Sequence, residues 1–175
     1  MLKLIAMVLV VLIAGVLVAA ALRPDTFRVQ RSTRIEAPPQ KIFPLINDIH
    51  RWGLWSPYEK LDPAMKRTFI GAPEGVGAIY EWEGNRKAGQ GRMQIVESTP
   101  PAKVVIKLEF IKPIAGHDVA EFSLRPQGAA TEVIWAMDGP SPYIAKVMGL
   151  FLDMDKLIGR DFETGLANLK AVAEK

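Results

Sequence analysis

Cysteine is absent from the 175 residues. Disulfide scaffolds, thiolate nucleophiles, iron–sulfur clusters and cysteine-ligated zinc are therefore excluded. The absence does not fix a compartment, because a reducing cytosol and an oxidising periplasm both tolerate it. Histidine is scarce: only His50 and His117 occur. Asp48 and His50 lack a third ligand at metal spacing, so no metal site is expected. Charge of one sign is not in surplus, since 22 Lys and Arg face 19 Asp and Glu for a net +3. The two signs are interspersed and the aromatics sit among apolar positions, so nucleic acid is not an expected partner. No Gly-x-Ser-x-Gly, His-Glu-x-x-His or phosphate-loop glycine pattern exists. Long apolar runs are also few. There is one, which excludes a polytopic membrane protein, and the remainder has an ordinary soluble composition.

That run is Met1–Leu22, broken only by Lys3 and Gly15. As a helix, Leu4–Leu22 spans about 28 Å, close to the hydrocarbon thickness of a bilayer. Arg23 and Pro24 end it. A signal peptide with Ala19–Ala21 as its small-residue cleavage site and a retained anchor both fit. The length exceeds a usual signal core and favours the anchor. A buried soluble helix is the poorest fit, because nothing along the run is polar. Orientation is balanced. Arg23, Arg28, Arg31 and Arg34 favour a cytoplasmic domain by charge count, whereas an early signal-like run exports the chain behind it. The reading leans slightly to the extracytoplasmic face of a single-pass protein. Residues 1–22 are thus an anchor or signal segment, 23–26 a linker and 27–175 one domain.

The domain opens with alternation. Phe27, Val29, Arg31, Thr33 and Ile35 share one face of a half-buried strand that Ala37-Pro38-Pro39 stops. A short helix carrying Ile42, Phe43, Leu45, Ile46 and Ile49 comes next, then a second short helix and turn over His50–Pro57. Strand alternation recurs at Met65–Ile70 (weakly), Val76–Glu83, Arg92–Glu97, Val104–Phe110, Ala120–Arg125 and Val133–Met137. Gly84-Asn85, Pro100-Pro101, Pro113, Pro126-Gln127-Gly128 and Gly139-Pro140 separate them. No helix-length segment intervenes, so the strands form an antiparallel meander. From Tyr143 the period changes. Val147, Leu150, Phe151, Met154, Leu157, Ile158, Phe162, Leu166, Leu169 and Val172 step by three and four, which predicts one helix of about thirty residues. Ser141 is its expected N-cap and Pro142 its first residue. The sheet's apolar face needs cover, and this helix is the only large element that can supply it. The fold class expected is α+β, with a curved antiparallel sheet of six to seven strands wrapped around a long C-terminal helix and one transmembrane helix in front.

Several segments carry a resemblance. They are Ile35-Glu36-Ala37-Pro38, Asn47–Ser56 with Arg51-Trp52 and Trp55-Ser56-Pro57, Asp62-Pro63-Ala64-Met65, Gly71–Trp82 with Gly75-Val76-Gly77-Ala78, and Met154–Leu166. In that order they resemble the START/polyketide-cyclase-like (SRPBCC) superfamily, especially its bacterial polyketide cyclase/dehydrase-type members, over roughly residues 27–173. The resemblance implies the helix-grip fold. It implies function less closely, because the superfamily binds many apolar ligands and only some members are enzymes.

A sheet gripping a helix can leave an apolar space between them. By parity Tyr80, Trp82, Met93, Ile106, Phe110, Phe122, Trp135 and Met137 face it from the strands, with Phe151, Met154 and Ile158 from the helix. A solid core would use the same residues. His117 falls on the opposite parity, away from this space. Arg31 points inward, either to meet an anionic ligand group or to snorkel at the sheet edge. The charges of Asp155–Glu163 read as a solvated helix face. Three functions remain open. The favoured one is a membrane-tethered module binding a hydrophobic small molecule or lipid, without cofactor. The others are an interaction or regulatory domain with a packed interior, and a cyclase- or dehydratase-like enzyme, for which no catalytic residue stands out. The sequence gives no oligomeric state.

Overall fold

The computed structural model describes residues 1–175, Leu2 by its backbone alone. Helix α1 (Leu2–Ala21) leads into β1 (Thr26–Ile35) and α2 (Pro39–Asn47). Two 3-10 helices come next, Ile49–Leu54 and Pro57–Lys60. Six strands succeed them: β2 (Lys66–Gly71), β3 (Ala78–Glu83), β4 (Gln90–Thr99), β5 (Lys103–Lys112), β6 (Gly116–Gln127) and β7 (Ala130–Pro140). Helices α3 (Tyr143–Met148) and α4 (Met154–Ala173) complete the chain.

The seven strands form one antiparallel sheet in the order β1-β7-β6-β5-β4-β3-β2. Strands β2 to β7 meander, and β1 joins the last of them. The registers set side chains in rows across the concave face. Arg31, Trp135, Phe122 and Val104 form one row. Val29, Met137, Ala120 and Ile106, with Ile95 beside them, form the next. Phe27, Gly139, Asp118, Leu108, Met93 and Tyr80 form the row beyond.

The core lies between these rows and a cover of three elements. Helix α2 contributes Ile42, Phe43, Leu45 and Ile46. The first 3-10 helix contributes Trp52, with Trp55 just after it. Their indole N–H groups donate to the carbonyls of Ile46 (2.9 Å) and Leu45 (2.8 Å), which locks this segment onto α2. Helix α4 buries Phe162, Leu166 and Leu169. Each such side chain contributes about 1.5–3 kcal/mol through removal from water.

Arg31 fixes where α4 sits. Its guanidinium grips Asp155 through two bonds (2.8 and 3.1 Å) and Glu163 through a third (2.8 Å). It also donates to the carbonyls of Asp155 (3.0 Å) and Gln30 (2.8 Å). Gly159 has no side chain to obstruct this approach; a Cβ there would collide with the guanidinium. At the other end, Lys170 reaches the carbonyl of Arg34, and the Glu174 carboxylate accepts from the Glu36 N–H. Helix α4 therefore runs in the same direction as β1 and starts over the Arg31 row. The Val29 row next to it is buried as well, and the Phe27 row beyond is covered only in part.

The single long C-terminal helix expected from periodicity is two helices. Gly149 caps α3, and a turn over Leu150–Leu152 succeeds it. Asp153 then opens α4 by accepting from the Lys156 N–H, an N-cap at a site where sequence periodicity runs on without interruption. Ser141 is not a cap: Pro142 occupies that position, and the Ser141 N–H donates instead to the carbonyl of Asp25.

Candidate functional site

The concave face divides at the Arg31 row. Over the half beneath α4 the interior is filled. The Trp135 indole lies flat on Phe162, with centroids 4.1 Å apart and planes 8° from parallel. Trp55, Tyr58 and Phe122 close round it edge-on or tilted. Gly165 gives the ring its place, since a Cβ there would stand 2.7 Å from Cζ3. Trp135 Nε1 is buried without a hydrogen-bond partner, as is Ser56 Oγ. Such donors are rare in folded interiors.

The other half carries apolar side chains with less over them. Phe27, Trp82, Leu108, Phe110 and Ile158 are only half-buried, whereas Met93, Ile106 and Met137 on the same face are buried. One carboxylate stands in this half. Asp118, between Leu108 and Gly139 in its row, makes no hydrogen bond, and a Cβ on Gly139 would strike its Oδ1. Burial pushes the Asp118 carboxyl up to about 6, against a smaller opposing pull from His117. Alternation with Ala120 and Phe122 already places Asp118 at inward parity, so the sequence carried the signal for it.

The far end of the row is closed by a saturated network. The Tyr80 hydroxyl donates to Glu59 (2.6 Å), and Arg67 grips the same carboxylate (2.7 Å) and the Glu59 carbonyl (2.9 Å). Burial and the Glu59 bond both push the Tyr80 phenol well above its ordinary range. Nothing in the sequence pattern pointed to Glu59 or Arg67, which sit in a 3-10 helix and a weak strand. Asp118 and Tyr80 lie three strand spacings apart, about 14 Å. The two ionisable sites therefore do not converge on one atom, as an acid–base pair must.

Of the side chains expected to line a site, Tyr80, Trp82, Met93, Ile106, Phe110, Phe122, Trp135 and Met137 face the concave side. Phe122 and Trp135 belong to the filled half, and the others to the region beyond. Phe151 is 73% exposed in the turn between α3 and α4, because the break in the helix takes it off the α4 stripe. Met154 is the first residue of α4, one turn before Ile158 on the same stripe, and is 42% exposed. Ile158 faces inward and is half-buried. Arg31 neither awaits an anion nor snorkels: all five of its N–H donors are engaged, and Asp155 and Glu163 are its partners rather than a merely solvated face. Two depressions, of about 350 and 170 Å³, lie on the convex side. Their outward-facing residues (Arg92, Gln94, Lys107, Glu109 and His117 in the first) alternate with the concave row. Neither opens between sheet and α4. Among the described residues no cluster of His, Asp and Glu could hold a metal ion.

The family model for polyketide cyclases/dehydrases and lipid transport proteins matches residues 26–174. The chain belongs to that family. No curated protein matches it. Among solved structures it resembles the di-domain ARO/CYC protein BexL of the BE-7585A biosynthetic pathway, at TM-score 0.65 and 15% identity, over 90% of this chain and 53% of BexL. It also resembles protein CV1439 of Chromobacterium violaceum, at TM-score 0.60 and 16% identity, over 87% of this chain and 99% of that one. A Thermobifida fusca protein gives TM-score 0.61 at 21% identity, over 83% and 92% of the two chains. At these identities the likeness is one of fold. Membership of the family is consistent with an apolar ligand.

Proposed function

We propose that the chain is a membrane-tethered module that holds a hydrophobic small molecule or lipid against the uncovered half of the concave face. The observation that carries this reading is that burial of the concave face is unfinished beyond the Val29 row: Phe27 and Leu108 of the Phe27 row, and Phe110 and Trp82 on either side of Gly91, are only half-buried. A greasy guest lying there completes the burial that α4 leaves unfinished, and each fully buried side chain gains about 1.5–3 kcal/mol. Asp118, the one unpaired carboxyl on this floor, suits a ligand carrying a hydroxyl or other hydrogen-bond donor. Helix α1 keeps the module at the bilayer into which such ligands partition.

Organic extracts of the full chain, purified gently in detergent and analysed by mass spectrometry, are expected to contain an apolar molecule near one per protein. Leu108→Trp, which fills the floor at a half-buried position, is expected to lose it while the circular dichroism is unchanged. A clean apo protein overturns the reading. That result favours the alternative of an interaction domain with a solid interior, for which the Trp135–Phe162 stack is the supporting observation.

A further inference from the structure

Helix α3 packs against α1. The Tyr143 hydroxyl donates to the carbonyl of Leu17, 2.7 Å away. Leu17 lies one turn inside the C-terminal end of α1, so Tyr143 sits about 6 Å below the end of the apolar rod, the depth at which tyrosine rings gather at a bilayer boundary. Two further contacts hold α3 at this depth. Lys146, buried, pairs with Asp25, and the Arg23 guanidinium packs beside Gly149. Around them Tyr143, Ile144, Met148, Phe151, Leu152 and Leu157 are all exposed, within one stretch of fifteen residues. Single exposed apolar side chains are ordinary, but a contiguous group marks an interaction surface. The charges within the stretch are neutralised in pairs: Lys146 with Asp25, Asp153 with Lys156, Asp155 with Arg31.

Resting on the reading of α1 as a retained anchor, we propose that α3 and the α3–α4 turn form an apolar lip immersed in the headgroup layer of the same leaflet that α1 leaves. The occupant of this surface is the bilayer itself, because α3 is fastened to the segment that spans it. The position of the lip has a consequence for the site. Only the short link over residues 22–25 separates α1 from β1, and β1 pairs with β7, which feeds α3, so the Phe27 row and the uncovered concave half face the lip. An apolar ligand then passes from the leaflet to the sheet without crossing water.

The absence of cysteine makes single-cysteine labelling clean. The full chain, with an environment-sensitive fluorophore at Ile144→Cys, Phe151→Cys, Val119→Cys or Leu9→Cys in turn, is reconstituted into phosphatidylcholine/phosphatidylglycerol vesicles. Spin-labelled lipids then quench from the bilayer, and iodide quenches from water. Leu9 lies mid-helix in α1, and Val119 is an exposed apolar residue on the convex face. The expected result is a blue shift and lipid quenching at positions 9, 144 and 151, with iodide quenching confined to position 119. Lipid quenching at 9 with iodide quenching at 144 and 151 overturns the lip and leaves the anchor standing. Iodide quenching at position 9 overturns both.

Discussion

Asp118 shows what one residue can cost and offer. Its carboxyl is held about two pH units above the ordinary aspartate value by burial. The native state therefore keeps a proton that the unfolded chain has already released. The contribution of Asp118 to stability is fully present below about pH 4, is lost as pH rises through the window from 4 to 6, and stays lost above it. The carboxyl is only half enclosed, so the penalty is on the order of 1 kcal/mol after allowance for solvent screening. Asp118→Asn is expected to remove that slope and to raise stability above pH 6 by about the same amount, which urea denaturation midpoints at pH 4, 5, 6 and 7 will show. A difference between wild type and Asp118→Asn that stays constant from pH 4 to 7 contradicts the burial of this carboxyl. The inward parity of Asp118 is legible in the alternation of β6. The partners of Arg31 are not, because Asp155 and Glu163 lie 124 and 132 positions away along the chain, a distance no local pattern spans.

At the scale of elements, the strands were legible because alternation and turn residues are local signals, and all seven were foreseeable. The C-terminal rod was legible in its period but not in its interruption: apolar steps of three and four continue through Gly149–Asp153, while the chain there turns away from the sheet. Periodicity reports which side chains are apolar, not whether something covers them. The fit of α4 to the sheet depends on glycine at the contact. In an exposed helix Gly165→Ala gains up to about 1 kcal/mol from propensity. Here the added methyl would stand 2.7 Å from the Trp135 ring and 3.1 Å from the Pro57 ring. Both are rigid, so Gly165→Ala is expected to destabilise by about 1–2 kcal/mol in chemical denaturation, with a weakened near-ultraviolet signal from the stacked indole. A neutral or stabilising result contradicts the filled interior beneath α4.

Across the whole molecule, α1 and the domain make few connections. Most of α1 is exposed apolar surface, and Ala20 is the one fully covered residue among its described side chains. We expect a chain of residues 23–175 to fold alone, retaining the near-ultraviolet spectrum of the Trp135–Phe162 pair. We also expect the full chain to stay with membranes after carbonate washing while the shortened one does not. Loss of the folded spectrum in the shortened chain contradicts the division at residue 22. A curved sheet around a terminal helix could be foreseen from element order, and the family resemblance implied the helix-grip fold. The partial cover of the Phe27 row could not, since it depends on where Arg31 clamps α4.

The pairing of β1 with β7 also decides how the domain bears force. Drag that reaches the domain along the chain from α1 enters β1 at Thr26 and is directed along that strand. All ten residue pairs of the β1–β7 ladder, from Thr26 with Pro140 to Ile35 with Thr131, then share the load in shear instead of opening one after another. The Arg31 clasp ties the same strand to α4 near the point of pull. A strand placed at the sheet's margin by connectivity is thus the one best braced to act as a mooring line.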